Sequence, residues 1–220
     1  MARLRVGVLI SGRGSNLQAL IEAAADPAYP AEIVLVISNR REAQGLQHAT
    51  QAGIPHEVIG ERDRGVFAAV ADAALRRHRV ELVALAGFMR LLDTGLVEAW
   101  CDRMVNIHPS LLPAFPGLHP QRQALAAGVR FSGCTVHFVR AEMDTGPIIA
   151  QAVVPVLPDD DEERLSARIL AAEHRLYPMA LRLCAEGWVT VAGERAVVAG
   201  ATAPGEVMLN PVEPLDRTAD

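Results

Sequence analysis

Along the first half of the chain, short apolar runs alternate with stretches that carry apolar residues at helical spacing. The runs Arg5–Ile10, Glu32–Ser38, His56–Ile59, Glu81–Ala86 and Arg103–Ile107 read as strands, since compact apolar runs bounded by turn formers suit strands covered on both faces. Between them Asn16–Ala25, Ala43–Ala52, Val66–Arg77 and Thr94–Trp100 read as helices, and Gly53 followed by Pro55 stops the second. Such alternation predicts βαβ units. The expected class is α/β, with an open, mostly parallel Rossmann-like sheet and helices on both faces.

The second half changes character. Pro109, Pro113, Pro116, Gly117 and Pro120 crowd the stretch after the fifth strand, which predicts an irregular but rigid wall. Two further strands, Gly133–Arg140 and Pro147–Val156, flank the polar connection 141–146. The acidic run 159–163 opens a long helix reaching about Ala185, as the helix dipole favours. Trp188–Val198, with a turn at Gly193, reads as a hairpin. The pattern predicts one domain over residues 1–200, and the aperiodic stretch 201–220, with three prolines, reads as a loose tail.

Composition narrows the partners. Half of the 220 residues are apolar and 21% are charged, with no apolar run long enough to cross a bilayer, so no membrane partner is expected. The formal net charge is −5 and the basic residues are scattered, which argues against nucleic acid. Small anions are still accessible to backbone amides and single arginines. The N-terminus runs straight into an apolar strand without a signal-peptide pattern, and Cys101, Cys134 and Cys184 form no CxxC pair. A cytoplasmic location fits this best, and a homodimer is compatible with it.

Three places carry candidate chemistry. Ser11-Gly12-Arg13-Gly14-Ser15-Asn16 joins the first strand to the first helix, a setting in which backbone amides at a helix N-terminus hold a phosphate. A dinucleotide fingerprint would need glycine at position 17, where Leu17 stands, and the second strand ends without an acid for a ribose diol, so NAD is disfavoured. Asn106 and His108, two residues apart at the end of a strand, project to one side and form a pair of donors suited to a developing oxyanion. Asp144, in the loop after a strand containing His137, could accept from an imidazolium or relay a proton through water. Each residue alone fits a structural role about as well. A metal site among His108, His119, His137 and Asp144 matches no zinc spacing, so no metal is expected, and the cysteines sit where small buried apolar groups are the default.

The segments Ile-Ser-Gly-Arg-Gly-Ser-Asn-Leu-Gln at 10–18, Leu-Ala-Gly-Phe-Met-Arg at 85–90, Asn-Ile-His-Pro-Ser-Leu-Leu-Pro at 106–113 and Asp-Thr-Gly-Pro-Ile at 144–148 resemble the glycinamide ribonucleotide formyltransferase family, folate-dependent enzymes of purine synthesis. The resemblance spans roughly residues 5–190 and implies the formyltransferase fold. It assigns Asn106, His108 and Asp144 to catalysis, and Gly14, Ser15, Asn16 and Glu173 to the ribonucleotide. To the folate it assigns Arg64, Met89, Arg90, Leu91, Leu92 and Asn106, with Arg140, Ala141, Glu142, Met143 and Asp144. Leu170 and Ala141 depart from the polar or acidic residues common at those places. The implied reaction moves the formyl group of 10-formyltetrahydrofolate to the amine of glycinamide ribonucleotide, with that folate as cosubstrate and no metal. Asn106 and protonated His108 would hold the oxyanion, with Asp144 stabilising the imidazolium. A related family and readings of other classes leave alternatives. A formyltetrahydrofolate deformylase would release the group to water, a folate-binding module would catalyse nothing, and an NAD-linked oxidoreductase would bind NADH.

Overall fold

The computed structural model describes residues 2–202, 208 and 210. Its elements run β1 (Leu4–Ile10), α1 (Ser15–Ala24), β2 (Ala31–Ser38), α2 (Gly45–Gln51), β3 (His56–Val58), α3 (Arg64–Arg77), β4 (Leu82–Leu85), α4 (Thr94–Ala99) and β5 (Met104–His108). Then come α5 (Pro120–Ala127), β6 (Phe131–Phe138), β7 (Ile148–Pro155), α6 (Glu162–Ala185), β8 (Val189–Ala192) and β9 (Arg195–Val198). The expected strands and helices are all present with small shifts at their ends. The sixth strand starts two residues earlier than the apolar pattern indicated. Helix α5 is an addition, in a stretch that was not read as helical. Its signals are terminal rather than periodic: Pro120 sits at its first turn and Gly128 closes it in the left-handed region.

Seven strands form one sheet in the order β3-β2-β1-β4-β5-β6-β7, and β8 pairs with β9 as a separate hairpin. The first five are parallel, and β6 and β7 run antiparallel to their neighbours. The class expected from the sequence is therefore observed. Two cores separate cleanly by strand face. Val6, Val8, Ile10, Ala84, Val105 and Ile107 pack with α1, α5 and α6, whereas Leu9, Leu35, Val83, Leu85 and Met104 pack with α3 and α4. Fully burying a Val, Leu, Ile or Met side chain among these stabilises the fold by about 1.5–3 kcal/mol relative to exposure.

Capping explains where the helices begin. Asp63, Asp93 and Asp161 each accept a backbone N–H at the start of α3, α4 and α6, and Glu162 and Glu163 occupy the first turn of α6. The long helix is tied to the sheet by Tyr177, whose hydroxyl donates to the carbonyls of Leu85 (3.0 Å) and Val105 (3.3 Å). Of the stretch 201–220, the Asn210 amide donates to the carbonyls of Arg130 and Val156, and most of the remainder lies outside the described residues.

Candidate active site

Strand direction explains why polar groups gather at one spot. Val105 and Ile107 face the first core, so Asn106 and His108 face the opposite side, the side covered by α3 and α4 nearer the middle of the sheet. On the antiparallel neighbour, Asn106 is opposite His137 and His108 is opposite Thr135. Four polar side chains thus share one face. Loops cover them. Thr135 accepts from the Leu112 amide at 3.1 Å and donates to the Ser110 carbonyl at 2.7 Å, and Gln151 donates to the Leu112 carbonyl at 2.9 Å. Gln123 of α5 binds the carbonyls of Pro116 and Leu118, so the proline stretch is pinned at several points, the rigid wall the sequence suggested.

Asp144 reaches this face from the other end of β6. Its residue adopts φ +58°, its side chain is 9% exposed, and Oδ2 accepts the Gly117 amide at 2.8 Å while lying 3.4 Å from His108 Nδ1. The opposite nitrogen of His108, Nε2, lies 3.0 Å from the Phe115 carbonyl. A carbonyl can only accept, so Nε2 carries a hydrogen, and the contact between Nδ1 and the Asp144 carboxylate is attractive when Nδ1 is protonated as well. The expected trio is brought together with His137, which the sequence reading weighed only as a metal ligand; its Nε2 lies 3.3 Å from Asn106 Nδ2 and 3.9 Å from Asp144 Oδ1. Burial holds the His137 pKa below its ordinary value, against smaller opposing effects from the Phe138 carbonyl and Asp144. Its alternation with Thr135 was visible in the sequence, but only the pairing register sets it opposite Asn106. His119 stands apart, 63% exposed and 3.7 Å from Glu162.

The glycine loop forms a second centre. Gly14 takes φ +77° at the start of α1, and no side chain caps that helix, which leaves the amides of its first turn available. Asn16 Nδ2 donates to Glu173 Oε2 at 2.7 Å, so two residues expected at the ribonucleotide do meet across α1 and α6. Burial pushes the Glu173 carboxyl pKa upward, opposed by that hydrogen bond. Beside it, a groove of about 460 Å³ between α1 and α6 is lined by Ser15, Gln18, His174 and Arg175 among others. The sequence reading also missed Gly45 at the start of α2, whose amide donates to the Gly12 carbonyl at 3.0 Å. An added Cβ at Gly14 would meet Gly45 Cα at 2.4 Å, so the loop and α2 approach as closely as backbones can.

The residues expected at the folate spread over three segments. Arg64 donates to the Leu92 carbonyl, and Arg90 donates to the carbonyls of Glu61 (2.6 Å) and Arg62 (2.9 Å) while its guanidinium stacks 4.8 Å from the Phe67 ring centre. Met89, Leu91 and Met143 are more than half exposed, and Leu92 packs against the second core. Ala141 and Glu142 are exposed in the loop that carries Asp144. The Arg140 guanidinium is committed elsewhere, to Asp102 at 2.8 Å and Glu194 at 3.2 Å, so any folate contact there falls to its backbone.

The profile of the formyl transferase family matches residues 4–181. The chain belongs to that family. A formyl transferase of this kind from Escherichia coli, a phosphoribosylglycinamide formyltransferase, is 42% identical over 84% of this chain and 88% of its own length. The Drosophila melanogaster trifunctional purine biosynthetic protein adenosine-3 is 55% identical over 87% of this chain, which spans 15% of that much longer protein. Among solved structures, glycinamide ribonucleotide transformylase 1 from Symbiobacterium toebii superposes with a TM-score of 0.86 at 49% identity, covering 89% of this chain and 94% of that one. A formyltetrahydrofolate deformylase from Pseudomonas syringae superposes at 0.83 with 29% identity, covering 89% of this chain and 66% of its own.

Proposed function

We propose that this formyl transferase moves the formyl group of 10-formyltetrahydrofolate to the amine of glycinamide ribonucleotide, giving formylglycinamide ribonucleotide and tetrahydrofolate. The observation that carries the reading is the juxtaposition of Asn106, His108 and Asp144 on one loop-covered face of the sheet. The relatives named for this transfer, and their high coverage by this chain, support it.

The amine nitrogen attacks the formyl carbon, forming a C–N bond and a tetrahedral intermediate whose oxygen is anionic. Asn106 Nδ2 and the His108 imidazolium donate to that oxygen. Collapse breaks the bond from carbon to the folate N10; the amine loses one proton and N10 gains one, with Asp144 placed to pass it through a water. His108 Nε2 is held by the Phe115 carbonyl, so donation from that nitrogen exchanges one acceptor for another. One oxyanion donor is typically worth about 3 kcal/mol, or roughly two to three decades in rate. His108→Ala and Asp144→Asn should each lose at least about a hundredfold in kcat while still binding the ribonucleotide; near-normal turnover in both would remove the assignment. The phosphate falls to Gly14, Ser15 and Asn16, with Glu173 toward the rest of the ribonucleotide. The pterin and benzoyl parts of the folate suit the exposed apolar Met89, Leu91 and Met143. Arg64 and Arg90 keep unused N–H donors for its carboxylates.

The deciding assay incubates the chain with 10-formyltetrahydrofolate and follows tetrahydrofolate, with and without glycinamide ribonucleotide. Release is expected only with the amine present. Release without it would assign the chain to deformylation, and no release in either case would leave a binding module.

A further inference from the structure

Asn106 and His137 stand directly opposite each other on the β5–β6 pair. The His137 ring is 2% exposed, and its Nδ1 lies 2.9 Å from the Phe138 carbonyl. That carbonyl can only accept, so the hydrogen of the neutral ring is on Nδ1 and Nε2 presents a lone pair. Nε2 faces Asn106 Nδ2 at 3.3 Å and takes one of its two hydrogens. Asparagine is nearly symmetric in shape but not in chemistry: turning its amide over exchanges two donor hydrogens for an acceptor oxygen. A transferring site needs the donor, since an amide oxygen turned toward an oxyanion repels it.

We propose that His137 is a positioning residue that fixes the Asn106 amide in its donating orientation, leaving the second Nδ2 hydrogen for the oxyanion. In the turned-over orientation Asn106 Oδ1 would face the Nε2 lone pair, so the neutral ring selects against it. The Phe138 carbonyl sets the tautomer, His137 reads it out, and Asn106 carries the result to the reacting oxygen. Burial, which holds the ring neutral, works in the same direction. Asp144 Oδ1 at 3.9 Å is too far to claim a hydrogen from Nε2. The inference rests on Asn106 being an oxyanion donor.

A double-mutant cycle separates the two ideas. Steady-state kinetics on wild type, Asn106→Ala, His137→Leu and the double variant should give a loss of about ten- to thirtyfold in kcat for His137→Leu, smaller than removal of the donor itself. The ribonucleotide KM should stay within about twofold, and in the Asn106→Ala background the same change should cost less than about twofold more. A full loss from His137→Leu in both backgrounds, or none in either, overturns the positioning role. If Asn106→Ala alone leaves kcat unchanged, the oxyanion reading fails first and the inference falls with it. A measurement free of folding effects uses the wild type: 15N NMR of the His137 ring near neutral pH should show hydrogen on Nδ1 and a bare Nε2. Hydrogen on Nε2 would overturn the proposal, because that nitrogen could then accept nothing from Asn106.

Discussion

Glu173 is buried and hydrogen bonded to Asn16, yet burial still moves its pKa upward from the ordinary 4.5. A carboxyl whose folded pKa lies above its unfolded value binds more protons in the fold. Stability associated with it is present at low pH and declines as pH rises through the window that begins near 4.5. Glu173→Gln keeps an acceptor for Asn16 and removes the charge. Its melting temperature should exceed that of the wild type at pH 7, with the difference closing as pH falls below that window, while the ribonucleotide KM rises. In a protein of this size each 1 kcal/mol moves Tm by about 2–4 °C. Equal melting temperatures at both pH values would show that the buried carboxylate costs the fold nothing. At this scale the sequence was informative about Asn106, His108 and Asp144, because their types and flanks are distinctive. His137 was legible only as a metal-ligand candidate and not as a partner of Asn106, since one histidine in an apolar strand is ordinary until its cross-strand neighbour is known.

At the scale of elements, the contact between the glycine loop and α2 defines the shape of the proposed phosphate site. A Cβ on Gly45 would lie 2.7 Å from Ile10 Cδ1 and 3.0 Å from Gly14 Cα, whereas one on Gly12 would meet nothing within 4 Å. Gly45→Ala should therefore push on Gly14 and raise the ribonucleotide KM about tenfold with little change in saturated kcat. Gly12→Ala should be close to neutral. Steady-state kinetics on the pair checks this, and equal behaviour would show that the loop does not depend on α2. The parallel strands were legible because both of their faces are buried, which writes an uninterrupted apolar run into the sequence. Helix α5 escaped notice because it is eight residues long and buries only Pro120 and Ala124, too few to show the helical period.

For the whole molecule, the expectation of a domain over residues 1–200 has a direct test. The Asn210 amide meets two carbonyls, an interaction worth about 1 kcal/mol. A chain ending at Gly200 should keep its transfer rate within about twofold and lose only a few degrees in Tm. Collapse of the fold or loss of rate would make the last twenty residues part of the working enzyme.

The reversal of β6 has a wider consequence. A parallel sixth strand would require a crossover, and crossovers in such sheets lay a helix across a face. Because β6 returns antiparallel, the face bearing Asn106, His108, Thr135 and His137 is met by loops, and a cavity of about 260 Å³ lies where Pro113 and Pro116 approach Asp144. The cleft is then inherited with the order of the strands, and the residues lining it are free to diverge while the space persists. A kindred chain that handed a one-carbon unit to a different acceptor would need to alter what enters that space, not to excavate it anew.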